Sequence, residues 1–134
     1  MATPGRPCYG TSVGSEGDFL QLFQHSPDVR AVAAGTSLFE VGEPGDVAYV
    51  VLSGQVEIQI NGKAVETVGP GGIVGELALI DNEPRGATAI VVGDTTVAPV
   101  GERRFLFLVQ HTPFFALKVM RVLAQRLRRQ NVLR

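Results

Sequence analysis

A mainly β domain with helices at both ends is what this sequence predicts, and three observations carry the prediction. Between Ser37 and Val100 the chain breaks into short β-rich runs bounded by Gly, Pro, Asp or Asn. Glycines at 35, 42, 45, 54, 69, 71, 72 and 75 recur between those runs, where a small barrel must turn corners. The segments on either side change to helical spacing. A β sandwich or barrel flanked by helices is the expected architecture.

Taken in order, residues 1–17 are rich in Gly, Pro and Ser and lack an apolar h-region, so they form an expected flexible arm and not a signal peptide. Asp18 can cap a short helix through Phe19, Leu22 and Phe23, which Pro27 ends. The β-rich runs follow at 37–41, 48–53, 55–60, 63–68, 87–92 and 95–100. Val56, Ile58 and Ile60 alternate with Gln55, Glu57 and Gln59, and Asn61-Gly62 is the dipeptide favoured in a type I′ turn, so 55–68 is an expected hairpin. Past the strands, Thr112 can cap a helix with Pro113 in its first turn. Leu117, Met120, Ala124 and Leu127 make an apolar stripe there, with Lys118, Arg121, Gln125, Arg128 and Arg129 mostly turned away from it.

The 134 residues fit one domain, here 18–134 after the arm 1–17. No apolar run approaches the roughly 20 residues of a membrane span, and a cytoplasmic location is the default expectation. Cys8 is the one cysteine and lies in the arm, which leaves no internal disulfide framework and no thiolate metal cluster. The net charge of −1 hides a division. Residues 1–101 carry four Lys/Arg against twelve Asp/Glu, and residues 102–134 carry eight against Glu102, giving −8 and +7.

Chemistry concentrates at 75–88, Gly-Glu-Leu-Ala-Leu-Ile-Asp-Asn-Glu-Pro-Arg-Gly-Ala-Thr, where Glu76 and Arg85 sit at two ends of a turn-containing loop. A carboxylate accepts hydrogen bonds from sugar hydroxyls, and a guanidinium holds a phosphate through parallel charge-assisted bonds, so the two together suit a sugar phosphate. Gly75 can let the backbone approach a ligand, Glu76 to Leu79 can start one helical turn, and Asp81-Asn82-Glu83-Pro84 brings Arg85 back toward the same place. The alternative is that Glu76 and Arg85 pair with each other beneath a loop. Residue types alone leave both readings open.

Other signals point away from catalysis. Gly10-Thr11-Ser12-Val13-Gly14 spells a nucleophile elbow without the strand before it or the helix directly after it that the chemistry needs. His25 and His111 fall outside the predicted barrel with no ligand-spaced partners, so no metal site is expected. Gly62-Lys63 precedes Ala64 and lies in a hairpin turn, which excludes a nucleoside triphosphate loop. No catalytic residue is evident.

The segment Val74-Gly75-Glu76-Leu77-Ala78-Leu79, followed by Pro84-Arg85-Gly86-Ala87-Thr88, resembles the phosphate-binding cassette of cyclic nucleotide-binding domains. These occur in catabolite activator proteins, cyclic-nucleotide-dependent kinases and gated channels. The likeness extends over Gly35-Thr36-Ser37-Leu38-Phe39, Gly42, Gly45-Asp46, Tyr49-Val50-Val51-Leu52 and Gly54-Gln55-Val56-Glu57-Ile58, and over the closing helices between Phe105 and Leu127. It implies an antiparallel, jelly-roll-like β-roll with flanking helices. It also implies a regulatory domain that is not an enzyme, takes a cyclic nucleotide and needs no other cofactor. Glu76 would take the ribose 2′-hydroxyl and Arg85 the cyclic phosphate, with Gly75 beside them. Backbone N–H groups of Leu77 or Ala78 and of Gly86 or Ala87 would supply further bonds.

The sequence departs from that family's pattern at Val74, often Phe, and at Gly86, usually Ala, Ser or Thr. Lack of a hydroxyl at Gly86 leans toward cAMP over cGMP. The resemblance further implies that movement of the C-terminal helix is the output. The stripe on that helix points to packing on the barrel or on a second copy in a homodimer, and Arg126, Arg128 and Arg129 to a positive patch for nucleic acid or membrane. With the sequence ending at Arg134, the DNA-binding helices of the family's transcription factors are not expected. A degenerate, non-binding interaction module with an unknown protein partner is the competing expectation.

Overall fold

A computed structural model of the chain describes residues 19–133 apart from Gln21, with side chains described through Arg129. The N-terminal arm, Cys8, the elbow-like Gly10–Gly14 pattern and the Asp18 cap lie outside the described residues. The strands are β1 (Arg30–Val32), β2 (Ser37–Phe39), β3 (Val47–Ile60), β4 (Lys63–Val68), β5 (Ile73–Val74) and β6 (Thr88–Gly101). The helices are α1 (Glu76–Asp81), α2 (Glu102–His111) and α3 (Pro113–Leu133). Every pairing is antiparallel, in the order β1-β6-β3-β4, with β2 also on β6 and β5 also on β3.

Two long strands organise the roll. The sequence predicts separate runs at 48–53 and 55–60, and at 87–92 and 95–100. The structure joins them into β3 and β6, 14 residues each, which pair from Val47↔Gly101 to Gln59↔Thr88. Gly54 (φ +83°) and Gly93 (φ +72°) bend the ribbon, and its register shifts on both sides of Ser53. A glycine accepts the left-handed backbone of a bulge, so what reads as a break in sequence is a corner within one strand. Thr95 Oγ1 pins this corner, donating to Gly93 O at 3.2 Å and accepting from Gln55 N–H at 3.2 Å. The predicted run at 37–41 ends at Phe39, while the short strands β1 and β5 are too brief to show in a sequence pattern.

The hairpin at 55–68 forms as expected. Gln59↔Ala64 and Ile60↔Lys63 flank a two-residue turn in which Asn61 (φ +55°) and Gly62 (φ +78°) both adopt the left-handed backbone of a type I′ turn.

The bend divides the core. Inside the roll, Phe39, Val51, Val56, Val68, Val74, Ala89 and Val91 pack together. On the helical side, Ala48, Val50, Ala98 and Val100 meet Phe19 and Phe23 from the lead-in and Phe105, Phe115, Val119 and Val122 from α2 and α3. Phe115 is the hub, edge-on to Phe105 at 5.4 Å, Phe19 at 5.7 Å and Phe23 at 6.2 Å. The chain turns by 112° between α2 and α3, and Pro113 begins the second helix as its sequence position predicts.

The face of α3 that packs is not the predicted one. Phe115, Val119 and Val122 are buried, whereas Leu117, Met120, Ala124 and Leu127 face outward; Met120 is 58% and Leu127 60% exposed. Both sets recur at helical spacing, so periodicity alone does not choose between them. Among the described residues no single helix is long and apolar enough to cross a membrane.

Candidate ligand-binding site

The site begins where β5 hands over to α1. Gly75 at this junction has φ +80°, and a Cβ there would lie 2.7 Å from Arg85 Nη1 and 3.0 Å from the Phe39 ring. A Cβ on Gly45 would lie 2.7 Å from Arg85 Nε and collide with the Ala78 methyl. Two missing side chains thus make the slot through which Arg85 runs.

Arg85 is held on every side but one. Its Nη1 donates to Gly75 O at 3.0 Å and its Nη2 to Val47 O at 2.6 Å, while its guanidinium sits 4.1 Å from the centre of the Phe39 ring. Phe39 in turn stacks on Tyr49. The Arg85 backbone is clamped as well, donating to Glu43 O and accepting from Gly42 N–H, both at 2.8 Å. The residue is 6% exposed, and its Nε is buried without a hydrogen-bond partner among the described residues. Burial lowers its pKa below the ordinary arginine value, a shift that the nearby Tyr49, Asp46, Glu43 and Glu76 oppose without cancelling. Two carbonyls use two of the five guanidinium N–H groups, so three remain for an anion.

Glu76 does not pair with Arg85, which settles one of the sequence alternatives. It is 1% exposed at the first position of α1, and its carboxylate accepts from Nη1 of Arg126 on α3. The same guanidinium donates through Nε to both oxygens of Glu66 on β4, at 3.2 and 3.3 Å, and through Nη2 to Ile73 O at 3.0 Å. Arg129 adds a second contact to Glu66, at 3.5 Å. Burial works against the charge of Arg126, but Glu76 and then Glu66 outweigh it, and its pKa is raised.

The predicted positive patch is therefore corrected: Arg126 is folded inward between two carboxylates, and Arg129 leans on one of them. Of the three, Arg128 is exposed and has no carboxylate partner among the described residues.

The structure brings Gly75, Glu76, Ala78 and Arg85 together. Leu77 points outward at 54% exposure, Gly86 is exposed with open space where a Cβ would sit, and Ala87 is half-buried before β6. Asn82 (φ +58°) and an Asp81 carboxylate accepting from Glu83 N–H make the turn that returns the chain to Arg85. Sequence reasoning missed Arg126 as a partner of Glu76, and Glu66 altogether. The signal was present: Arg126 follows Phe115, Val119 and Val122 at helical spacing, a lone charge on the packed face.

Between β4 and α3 lies a small cavity of about 10 Å³, lined by Glu66, Val68, Ile73, Val122, Gln125 and Arg126 among others. It is room for a single water.

The sequence profile of the cyclic nucleotide-binding domain matches residues 29–112, most of the chain. The chain belongs to this family. The domain is 35% identical over 105 residues to the Pycsar effector protein XpPycTIR of Xanthomonas perforans, covering 78% of this chain and 35% of that one. It is 30% identical over 134 residues to the cyclic AMP receptor protein of Thermus thermophilus, covering 96% and 60%. The crystal structure of the Thermus thermophilus catabolite activator protein superposes with a TM-score of 0.72 at 29% identity, covering 92% of this chain and 59% of that one. The chain thus spans less than two thirds of the length of these relatives.

Proposed function

We propose that this domain senses a cyclic nucleotide, with cAMP the ligand that Gly86 favours, and acts in the cytoplasm as a regulatory module without turning the nucleotide over. The observation that carries the reading is Arg85. It is buried, fixed by two carbonyls and an aromatic ring, and keeps an unpaired Nε–H beside Gly45, with Gly75 of the cassette against its Nη1. A guanidinium so placed loses little rotamer freedom on meeting a phosphate and has N–H groups left to give it. Backbone N–H groups of Leu77 or Ala78 and of Gly86 or Ala87 complete the cradle, and Glu76 takes the ribose 2′-hydroxyl. A carboxylate offers about four lone-pair sites, so Glu76 can keep Arg126 while accepting the sugar.

In this reading α3 is the output. The cavity of about 10 Å³ between β4 and α3 does not admit a purine, so a base placed there would require α3 to shift from the roll. Because Arg126 ties α3 to Glu76, a ligand on Glu76 has the differential contact with the two helix positions that a population shift needs. The outward face of Leu117, Met120 and Leu127 would take a second copy of the domain or an effector.

The rival reading, a module that kept the fold and lost the ligand, is favoured by one observation: Glu76 already has a cationic partner. Calorimetric titration with cAMP and cGMP decides. Binding with a 1:1 stoichiometry is expected, and Arg85→Lys, which keeps the charge and loses the fork, is expected to weaken it at least about tenfold. No heat and no thermal stabilisation by either nucleotide at millimolar concentration would leave the interaction module as the function.

A further inference from the structure

Two backbone carbonyls hold the tip of the Arg85 guanidinium and leave its Nε edge uncommitted. Nη1 and Nη2 donate to Gly75 O and Val47 O, whereas Nε, buried beside Gly45, has no acceptor among the described residues. Bonds at the two tip nitrogens fix where the planar fork ends but let its plane rock about the line joining the two acceptors. The Phe39 ring blocks that rocking, because the guanidinium carbon lies over it, 4.1 Å from its centroid.

The ring is itself held from several sides. Phe39 is 8% exposed and ends β2 opposite Ala89 of β6. It stacks on Tyr49 with 6.4 Å between ring centroids and 19° between the planes, and Tyr49 stands on β3 between Val74 and Pro99 of the neighbouring strands. Two residues beyond Phe39, Val41 N–H donates to Thr88 Oγ1 at 3.1 Å, which ties the chain leaving β2 to the end of the cassette. The support of Arg85 thus comes from paired strands, which hold a side chain more precisely than loops do.

We infer that Phe39, backed by Tyr49, is a positioning residue for the phosphate: it sets the plane of Arg85 so that the Nε edge meets one of the two exocyclic phosphate oxygens and the site tells them apart. This rests on the cyclic nucleotide reading above. The two exocyclic oxygens of a cyclic phosphodiester are not equivalent in a chiral pocket. A guanidinium able to rock serves either oxygen, and one held flat on a ring serves the one that its edge faces. Selectivity is a difference of affinities, so the plane of Arg85 becomes a preference between ligands that differ only at those oxygens. Phe39 acts through Arg85 and needs no contact with the nucleotide.

The test uses the Rp and Sp phosphorothioates of cAMP, in which sulfur, a poor hydrogen-bond acceptor, replaces one exocyclic oxygen or the other. The ratio of their dissociation constants, taken within one protein, cancels whatever a substitution does to stability. In the wild type the ratio is expected to be about tenfold, on the scale of one charge-assisted hydrogen bond. In Phe39→Leu, which stays apolar and loses the ring, it should fall below about threefold, while Phe39→Tyr, which keeps the ring, should retain it. Tyr49→Leu removes only the backing and should give an intermediate ratio; it carries the test if F39L does not fold. A wild-type ratio near one, or equal weakening of both diastereomers in F39L and Y49L, makes Phe39 a packing residue and overturns the inference while leaving nucleotide binding intact. Failure of cAMP itself to bind the wild type overturns the parent reading, a result distinct from an unchanged ratio.

Discussion

Arg126 on α3 donates to Glu76 on α1 across 50 residues of sequence, and with its bonds to Glu66 and Ile73 O it ties the last helix to the roll. Glu76 is 1% exposed, so removing its partner strands a buried carboxylate. We expect Arg126→Gln to cost about 3 kcal/mol in chemical denaturation, the range for breaking one side of a buried pair. The double variant with Glu76→Gln should recover part of that loss, because the uncompensated charge is gone. A loss in the double variant equal to the sum of the losses in Arg126→Gln and Glu76→Gln alone would show that the pair does not couple.

Gly45 and Gly62 separate space from backbone strain. Gly45→Ala places a methyl against Ala78 and Arg85 Nε, and it should destabilise the fold by about 1–3 kcal/mol through overpacking while displacing Arg85. Gly62 has φ +78° but open space around it, so Gly62→Ala should cost only the strain of a left-handed alanine, roughly 1 kcal/mol. Melting curves give both values. Nucleotide titration should then find G45A impaired and G62A unchanged.

Met120→Glu and Leu127→Glu probe the outward face of α3. Since Met120 and Leu127 are 58% and 60% exposed, these changes should leave stability within about 0.5 kcal/mol. If that face receives a second copy, as proposed, light scattering will show the wild type as a dimer and the double variant as a monomer. A wild type that is monomeric at high micromolar concentration assigns the face to a different partner.

How much of this was legible beforehand depends on the range of the interaction. The Asn61-Gly62 hairpin, the single turn opened by Gly75 and the helix start at Pro113 are set by residues within a few positions of one another, and they formed as their chemistry predicts. Gly54 and Gly93 were visible as punctuation, but whether a glycine ends a strand or bends it depends on the opposite strand. Here Gln55 pairs with Val92 and Ser53 with Thr96, which carries the ladder through the corner.

The sequence by itself determined a mainly β domain flanked by helices and the turn-containing loop from Gly75 to Thr88, because turn chemistry, alternation and glycine placement are local properties of the chain. The β-roll and the cassette were implied by the family resemblance. Tertiary structure alone decided that Phe115, Val119 and Val122 are the packed face of α3, and that Glu76 answers to Arg126 instead of Arg85. Two apolar stripes of equal period cannot be ranked without the surface they meet, and a buried carboxylate takes whichever cation the packed helix delivers to it.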